Sequence, residues 1–346
     1  MSLSTPHVVA LGELLLRLKA PGYERLMQSG HLEATFGGAE ANVAAALAND
    51  GIDVAVVTAL PTNALGDAAI GELRRFGIHT QHVVQQEGRI GTYYLEAGAG
   101  QRPGRVIYDR ADSVLSLISP TAFKWRDIFA NATWLHVSGI TPALSESAAQ
   151  ITLEAVTVAR ELGLTVSCDY NFRGNLWRYG KQPADVMRAI VNQVHIGISG
   201  RGDCQTMLGI VPEAPEPEGG VDTTWYQRLT DDVLAQFPNL HMQVITLREG
   251  SSASNYRWSA CLQSRQEFLV SQAYEVTEVV DRVGAGDAFS AGLLYGLLND
   301  RGARYALEYA TAASCLKHTI PGDVNRVSVN EVEALMRGQG GGRMQR

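Results

Sequence analysis

Short apolar runs alternate along this chain with longer stretches in which apolar residues recur every three or four positions. The short runs predict buried strands at 7–11, 54–59, 134–137, 165–169, 195–199 and 243–247. The longer stretches predict helices at 39–49, 67–76, 145–162, 185–194 and 225–237. This alternation predicts an α/β fold with a mainly parallel central sheet and helices on both of its faces.

Two stretches, 14–36 and 90–108, interrupt this rhythm. They combine glycine, tyrosine and alternating apolar residues without intervening helices, a pattern typical of antiparallel strands. We expect them to form a small β-sheet lid that is set apart from the main sheet and covers a site. The Pro-, Glu- and Gly-rich segment 211–222 predicts a surface excursion, and 338–346 predicts a flexible tail.

Composition narrows the classes of function. The chain has 346 residues, of which 45% are hydrophobic and 19% charged, as is typical of a folded globular protein. The net charge of -7 disfavours nucleic acid and anionic membranes as partners, because both attract basic patches. The sequence has no signal-peptide pattern, no apolar run of about 18 residues, and no CxxC pair among its cysteines. We therefore expect a cytoplasmic protein that acts on a small molecule.

The segment 279–293, VVDRVGAGDAFSAGL, carries the clearest chemical signal. It predicts strand residues, then glycines, then a helix. The backbone N–H groups of Gly284, Ala285 and Gly286 would lie at the helix N-terminus, where free donors and the helix dipole attract an anion such as phosphate. Asp287, in the first turn, would take a proton from an attacking hydroxyl. The plainer alternative is that the glycines form a turn and Asp287 caps the helix.

Other cofactor motifs are absent from the sequence. Phe289 occupies the position of the third glycine of the dinucleotide motif GxGxxG, and no GxxxxGK[ST] occurs. The eight histidines show no metal-ligand spacing. A dinucleotide-dependent dehydrogenase and a P-loop enzyme are therefore both disfavoured.

Two signatures occur in the order of one known family. A D-x-x-G-A-G-D run extends from Asp281 to Asp287, and the glycine pair Gly37 and Gly38 precedes an Ala-rich helix that contains Asn42. In these signatures the sequence resembles the ribokinase-like (PfkB) carbohydrate kinases. The resemblance covers nearly the whole chain as one kinase domain, 7–335. It implies a ribokinase-like fold, with ATP, Mg²⁺ and a monovalent cation as cofactors.

Within the family, the sequence is similar to members that act on the sugar acid 2-keto-3-deoxygluconate. The likeness is carried by DYNFRGNLW at 169–177 and KHTIPGDVN at 317–325. It implies ATP-dependent phosphorylation of the terminal hydroxyl of a six-carbon sugar acid. A carboxylate substrate needs a cation, and Arg110 and Arg173 are the candidates, with a structural ion pair as the alternative for each.

The resemblance also assigns residues to the sugar acid. They are Gly37, Gly38, Asn42, Tyr93, Tyr108, Arg110, Asn171, Arg173 and Asp323. Tyr93 and Tyr94 are adjacent on a predicted strand and point to opposite sides, and we choose Tyr93 as the inward one. Ordinary packing is the alternative for the tyrosines, and a turn-forming role is the alternative for Asp323.

A further set belongs to the nucleotide side of the expected site. It comprises Gly200, Asp203, Thr246, Arg248 and Gly250. Two departures from the family pattern occur here. Ala253 replaces a glycine, and Gly200 and Asp203 stand where the family shows Asn-x-x-Glu. Asp203 is then the one carboxylate left there for Mg²⁺, so we expect an altered dependence on this metal.

Other functions stay open from the sequence. The chain is alternatively another sugar or nucleoside kinase of the same fold, or a non-catalytic sensor of sugar acids. Gluconate and galactonate stereochemistry are not distinguished, because one inverted hydroxyl is recognised by contacts that the sequence does not place. Exposed edges of the lid strands predict a homodimer or a higher homo-oligomer.

Overall fold

The computed structural model describes residues 8–213, 221–250 and 255–339, so residue 7, Ala253, the centre of the 211–222 excursion and the end of the tail lie outside it. The strands are β1 Val8–Leu11, β2 Leu15–Lys19, β3 Glu33–Gly37, β4 Val54–Pro61, β5 Val83–Gln86, β6 Thr92–Glu96, β7 Arg105–Asp109, β8 Trp134–Ser138, β9 Thr165–Asp169, β10 Ile196–Ser199, β11 Met242–Glu249, β12 Tyr256–Ser264, β13 Phe268–Val270 and β14 Tyr274–Val276. The helices are α1 Ala39–Asn49, α2 Ala64–Arg75, α3 Val114–Leu117, α4 Trp125–Ile128, α5 Glu146–Glu161, α6 Pro183–Val191, α7 Asp203–Leu208, α8 Thr223–Gln236, α9 Ala285–Leu298, α10 Gly302–Lys317 and α11 Val329–Met336.

The main sheet has the strand order β13-β12-β11-β10-β9-β8-β1-β4-β5, and β14 also pairs with β12. All strand pairs from β11 to β5 are parallel, and Val8 of β1 lies opposite both Trp134 and Val54. The strands β12, β13 and β14 add an antiparallel edge. The predicted α/β fold with a mainly parallel sheet is confirmed.

Helices pack on both faces of this sheet, as the sequence predicts. On one face, Ile151 and Val156 of α5 join a buried cluster with Val166 of β9. On the other, Leu47 of α1 and Leu293 of α9 lie in a second buried cluster. Burying these apolar surfaces is the main free-energy gain that fixes the two layers. Among the described residues, no helix is both long and apolar enough to cross a membrane.

A small sheet is formed by β3, β2, β6 and β7, in that order, within the two stretches that interrupt the α/β rhythm. Pairs β2–β3 and β6–β7 are antiparallel, as expected. The central pair β2–β6 is parallel, with Leu16 opposite Thr92, so the expectation of purely antiparallel strands is wrong there. Between β2 and β6 the chain forms β3, α1, β4, α2 and β5. This long connection allows β2 and β6 to pair in parallel, whereas a short hairpin would allow only antiparallel pairing.

The segment before α9 differs from its prediction. Val279 and Val280 were expected in a strand, but β14 ends at Val276. Glu278 has a positive φ of 54°, and the backbone N–H groups of Val280 and Asp281 both donate to the carbonyl of His318 instead of a strand ladder. The strand prediction is wrong here, because this segment is held by the end of α10. Helix α9 begins at Ala285, as predicted.

Candidate active site

A cavity of about 480 Å³ lies between the carboxyl ends of the parallel strands and the small sheet. The carboxyl ends of the strands are where α/β sheets commonly bind ligands. Most of the residues predicted for the site line this cavity. They are Gly38, Asn42, Tyr93, Tyr108, Arg110, Asn171, Arg173, Gly200, Asp203, Thr246, Gly284, Ala285, Gly286, Asp287 and Asp323.

Three predicted residues do not line the cavity. Gly37 packs against a neighbouring carboxylate, because a Cβ there would lie 2.1 Å from Oδ2 of Asp323. Arg248 places its guanidinium 4.1 Å from the ring centroid of Tyr256. Gly250 follows the end of β11 with a positive φ of 138°. Gly37 therefore allows close packing against Asp323, and Gly250 allows the backbone to turn after β11. Neither residue lines the cavity itself.

The glycine loop, Gly284–Gly286, forms the N-terminus of α9. Gly284 is the N-cap residue, has a left-handed φ of 81°, and offers no side-chain cap to the first helical N–H groups. A Cβ on Gly284 would lie 1.8 Å from the carbonyl oxygen of Asp323, whereas a Cβ on Gly286 would meet no atom within 4 Å. The N–H of Ala285 donates to the carbonyl of Arg282 at 3.3 Å, whereas those of Gly284 and Gly286 donate to no carbonyl among the described residues. These two donors remain for an anion in the cavity, which would gain from the N–H groups and from the helix dipole.

Alanine at these two glycines is expected to have opposite effects. Gly284→Ala should lower the free energy of unfolding by about 2 kcal/mol or more, because of its left-handed φ and the clash with Asp323. Gly286→Ala should leave stability nearly unchanged but lower phosphoryl transfer by roughly tenfold or more, because the methyl group fills space beside the donors. Thermal unfolding and steady-state turnover of both variants test this pair. Equal stability of the two variants would contradict it.

Asp287 lies in the first turn of α9 and is only 9% exposed. Nδ2 of Asn42 donates a hydrogen bond of 2.6 Å to its Oδ2, and Oδ1 of Asn42 accepts one of 3.3 Å from the N–H of Gly38. Burial raises the pKa of Asp287 to about 7, with Asp323 also raising it, while the bond from Asn42 lowers it. A carboxylate with this pKa, beside an anion-binding loop, is suited to accept a proton near neutral pH.

The pKa of Asp287 predicts the pH dependence of turnover. Only the deprotonated carboxylate accepts a proton, so kcat/KM should fall about tenfold per pH unit below about 7 and be level above it. Asn42→Ala removes a donor that lowers this pKa, and should move the acid limb to higher pH. A pH–rate profile of both proteins at saturating nucleotide measures this. A wild-type profile that stays flat down to pH 5.5 would contradict the role of Asp287.

Carboxylates are concentrated on the nucleotide side of the cavity. Burial raises the pKa of Asp169 well above its usual value, and the charges of Asp203 and Asp287 raise it further. Oδ2 of Asp203 accepts a 2.7 Å hydrogen bond from the N–H of Gly200. Within the described ranges, no group of three or more His, Cys, Asp or Glu side chains could hold a metal by itself. A divalent cation therefore fits here only if it brings further ligands, as Mg²⁺ bound to nucleotide phosphates does.

Among the described residues, three arginines line the cavity, and they differ in whether a carboxylate balances their charge. Nε of Arg110 donates a 2.7 Å hydrogen bond to Oε2 of Glu13, and both side chains are buried. Arg173 is exposed, donates to the carbonyl of Phe172, and forms no ion pair with the described residues. Arg282 also lines the cavity and lies close enough to Arg248 to lower the pKa of that guanidinium. Arg173 is thus better placed than Arg110 to bind an incoming carboxylate.

A buried ion cluster connects the small sheet to the glycine loop. Arg17 of β2 is 2% exposed and binds the carboxylates of both Asp281 and Asp323, with 2.5 Å between Nη2 and Oδ2 of Asp281. The hydroxyl of Tyr93 donates to Asp323. Asp323 therefore lines the cavity with its charge already compensated. Its predicted contact with the substrate is accompanied by a structural role that the sequence did not indicate.

Several other residues of the site were not predicted as such. Glu13, Glu40, Asp169, Ser199 and Arg282 line the cavity as well. Glu40 is 1% exposed and accepts hydrogen bonds from Ser138 and Thr141, while burial raises its pKa. A signal was present for Arg282, since it lies inside the D-x-x-G-A-G-D run. The sequence held no such signal for Glu40, because acidic residues are common in the first turn of a helix and Glu40 lies in the first turn of α1.

Comparison with known proteins decides the family. The model of the pfkB family carbohydrate kinases matches residues 5–328. The chain belongs to this family. The family expected from the two sequence signatures is thereby confirmed, and with it kinase chemistry on a carbohydrate.

Individual relatives of this kinase span its whole length. A 2-dehydro-3-deoxygalactonokinase of Haloferax volcanii is 31% identical and aligns over 96% of this chain and 98% of its own. A 2-dehydro-3-deoxygluconokinase of Bacillus subtilis is 25% identical over 93% of each chain. The crystal structure of 2-dehydro-3-deoxygluconokinase from Thermotoga maritima superposes with a TM-score of 0.90 at 42% identity, covering 96% of this chain and 100% of that one. The ribokinase-like fold is confirmed.

Proposed function

We propose that this kinase transfers the γ-phosphoryl group of ATP to the terminal hydroxyl of 2-keto-3-deoxygluconate, the substrate that the relatives' names call 2-dehydro-3-deoxygluconate. One observation carries the proposal. A single cavity holds a buried carboxylate with a pKa of about 7, a helix N-terminus with free donors, and the exposed Arg173, which forms no ion pair with the described residues. The buried carboxylate can accept the proton of a hydroxyl, the helix N-terminus can bind a phosphoryl group, and Arg173 can bind the carboxylate of a sugar acid.

The transfer step depends on positioning. Asp287 takes the proton of the attacking hydroxyl, while the backbone N–H groups of the glycine loop stabilise the negative charge on the phosphoryl oxygens in the transition state. Asn42 keeps the Asp287 carboxylate oriented through its 2.6 Å hydrogen bond. The small sheet, with Tyr93 and Tyr108, limits the access of water, which would otherwise compete as the acceptor.

The acid group of the substrate is the basis of its recognition. Arg173 is free to form a charge-assisted, bidentate pair with a carboxylate. The charge of Arg173 acts on Asp169 and Asp287, whose pKa values it lowers, so it lies within electrostatic range of the reaction centre. Arg110, already paired with Glu13, orients the sugar through its remaining donors. Asn171, Gly38 and Asp323 complete this side of the site.

The nucleotide is proposed to enter beside β10 and β11. Gly200 and Thr246 border this side of the cavity, and Arg282 adds positive charge next to the glycine loop. Mg²⁺ would arrive with ATP and supply charge neutralisation to the phosphates. Asp169 and Asp203 would hold it, because their crowded negative charge favours a divalent cation.

Three further expectations stay predictions. A homodimer through the small sheet is supported by β7, which is exposed at all five positions and has Ile107 44% exposed. A cytoplasmic location is the second of these expectations, from the sequence alone. A monovalent cation would need oxygen ligands, and two carbonyl oxygens behind the glycine loop, those of Asp281 and Ile320, accept hydrogen bonds from the ammonium group of Lys317.

A substrate panel tests the proposal. ADP release from Mg²⁺·ATP is measured with 2-keto-3-deoxygluconate, its galactonate epimer, ribose, fructose and adenosine. We expect turnover with the keto-deoxy acids and at least about 100-fold lower kcat/KM with the neutral compounds, since these leave Arg173 unpaired. Turnover confined to a neutral sugar would reject the sugar acid and keep the kinase. Binding of the acid without ADP release would favour a sensor.

A further inference from the structure

The last residue of α10, Lys317, carries a completely buried ammonium group. Its exposure is 0%, and it lies behind the glycine loop, outside the cavity lining. Nζ donates hydrogen bonds to the carbonyl oxygens of Asp281, at 3.3 Å, and of Ile320, at 3.0 Å. A lysine is rarely buried in this way unless its charge is balanced.

The charge of Lys317 is balanced by the buried ion cluster. The charges of Asp281 and Asp323 raise its pKa and oppose burial, which lowers it. Together, Arg17 and Lys317 supply two positive charges against the two carboxylates. The cluster is therefore neutral only while Lys317 is protonated, and its position at the carboxyl end of α10 also favours a cation.

The two carbonyl contacts connect the segments that shape the anion-binding site. Asp281 opens the segment that leads into the glycine loop, and its Oδ1 accepts a 3.0 Å hydrogen bond from the N–H of Val283. Ile320 opens the turn that carries Asp323, whose carbonyl oxygen lies against Gly284. Lys317 thus connects the segment that leads into the glycine loop with the turn that packs against Gly284.

Carbonyl and carboxylate oxygens gathered around one point are the ligands that a hard monovalent cation binds. Here two carbonyl oxygens, those of Asp281 and Ile320, accept hydrogen bonds from an ammonium group fixed to the chain, and the charges of Asp281 and Asp323 act on that group. The residues present therefore do not fit a bound monovalent cation behind the glycine loop, contrary to the expectation from the sequence.

We propose that Lys317 is a positioning residue that replaces a monovalent cation, so that phosphoryl transfer by this kinase needs no added potassium or sodium. The inference rests on the proposed kinase function for its activity readout. It names a role for a residue that touches neither the substrate nor the phosphoryl group.

The first test compares cations in the wild-type enzyme. Turnover is measured in potassium, sodium or tetramethylammonium chloride at equal ionic strength, the last ion being too large for a buried site. We expect rates that agree within about twofold. A rate at least fivefold higher in potassium would overturn the proposal. This test needs no variant, so it decides the question even if Lys317 variants fail to fold.

The second test uses Lys317→Ala, which removes the charge and the aliphatic stem and so leaves space for a cation. In tetramethylammonium we expect kcat to fall by roughly 30- to 100-fold, because the donors of the glycine loop shift. Potassium or ammonium should raise kcat of this variant at least tenfold and should also raise its unfolding temperature, whereas neither ion should change the wild type. Lys181→Ala, at an exposed lysine, is the matched control and should behave as wild type.

The two readouts separate the inference from the proposed function. If wild-type enzyme phosphorylates no sugar acid, the proposed function fails, while the potassium-specific rise in unfolding temperature of Lys317→Ala still tests the cation site. A variant with full activity in tetramethylammonium overturns the inference. So does a folded variant whose rate and unfolding temperature ignore every monovalent cation, because that result indicates ordinary packing.

Discussion

Replacing Asp287 with asparagine is expected to lower kcat by about 10³-fold, equivalent to about 4 kcal/mol in the activation barrier. The amide has no basic oxygen that can accept the proton of the sugar hydroxyl at neutral pH. Its shape matches the carboxylate, and its oxygen can still accept the hydrogen bond that Asn42 donates to Oδ2 of Asp287. The fold and the binding of Mg²⁺·ATP should therefore be preserved.

This prediction is checked by kcat, by nucleotide affinity from calorimetry and by thermal unfolding of Asp287→Asn. Asp231→Asn, at an exposed aspartate of α8, is the matched control and should be indistinguishable from wild type. Turnover of the Asp287 variant within tenfold of wild type would show that another group accepts the proton. Loss of nucleotide binding in parallel with turnover would assign Asp287 to nucleotide binding instead.

Arg173→Gln is expected to raise KM for the sugar acid by about 100-fold, with a smaller change in kcat. The glutamine amide ends two bonds short of the terminal guanidinium nitrogens and lacks the charge, so the charge-assisted pair with the substrate carboxylate is lost. Stability should be unchanged, because Arg173 is exposed and pairs with no carboxylate among the described residues. Steady-state kinetics over a range of sugar-acid concentrations measures the effect.

Two further arginines are the controls for this prediction. Arg178→Gln removes an exposed charge from the same loop, outside the cavity lining, and should leave KM unchanged. Arg110→Gln should instead destabilise the protein by about 3 kcal/mol, because it leaves Glu13 buried without its partner. A change in KM of less than threefold in Arg173→Gln would show that the substrate carboxylate binds elsewhere.

Local sequence patterns predicted those elements that are determined locally. Helix α1 was predicted at its observed bounds, since its Ala-rich segment is followed closely by Gly51. The parallel strands of the main sheet were predicted as short apolar runs, except for β5, which was not predicted. The parallel pairing of β2 with β6 and the absence of a strand at Val279 depend on partners far along the chain, and no local pattern reports them.

The same distinction holds within the site. The glycine loop and Asp287 belong to one short run of sequence and were predicted together. The hydrogen bond between Asn42 and Asp287 spans 245 positions and was not predicted, because the family resemblance assigned Asn42 to the sugar acid only. The pairing of Arg110 with Glu13 was not foreseen, because a sequence shows which charges a chain has but not which of them cancel.

The central claim is transfer of a phosphoryl group from ATP to the terminal hydroxyl of a keto-deoxy sugar acid, and product analysis tests it most directly. The wild-type enzyme is incubated with Mg²⁺·ATP and 2-keto-3-deoxygluconate, and the product is examined by phosphorus–proton correlation NMR. We predict one new phosphate monoester coupled to the protons of the terminal carbon, formed in equal amount to ADP. A phosphate ester on another carbon, or inorganic phosphate alone, would contradict the account.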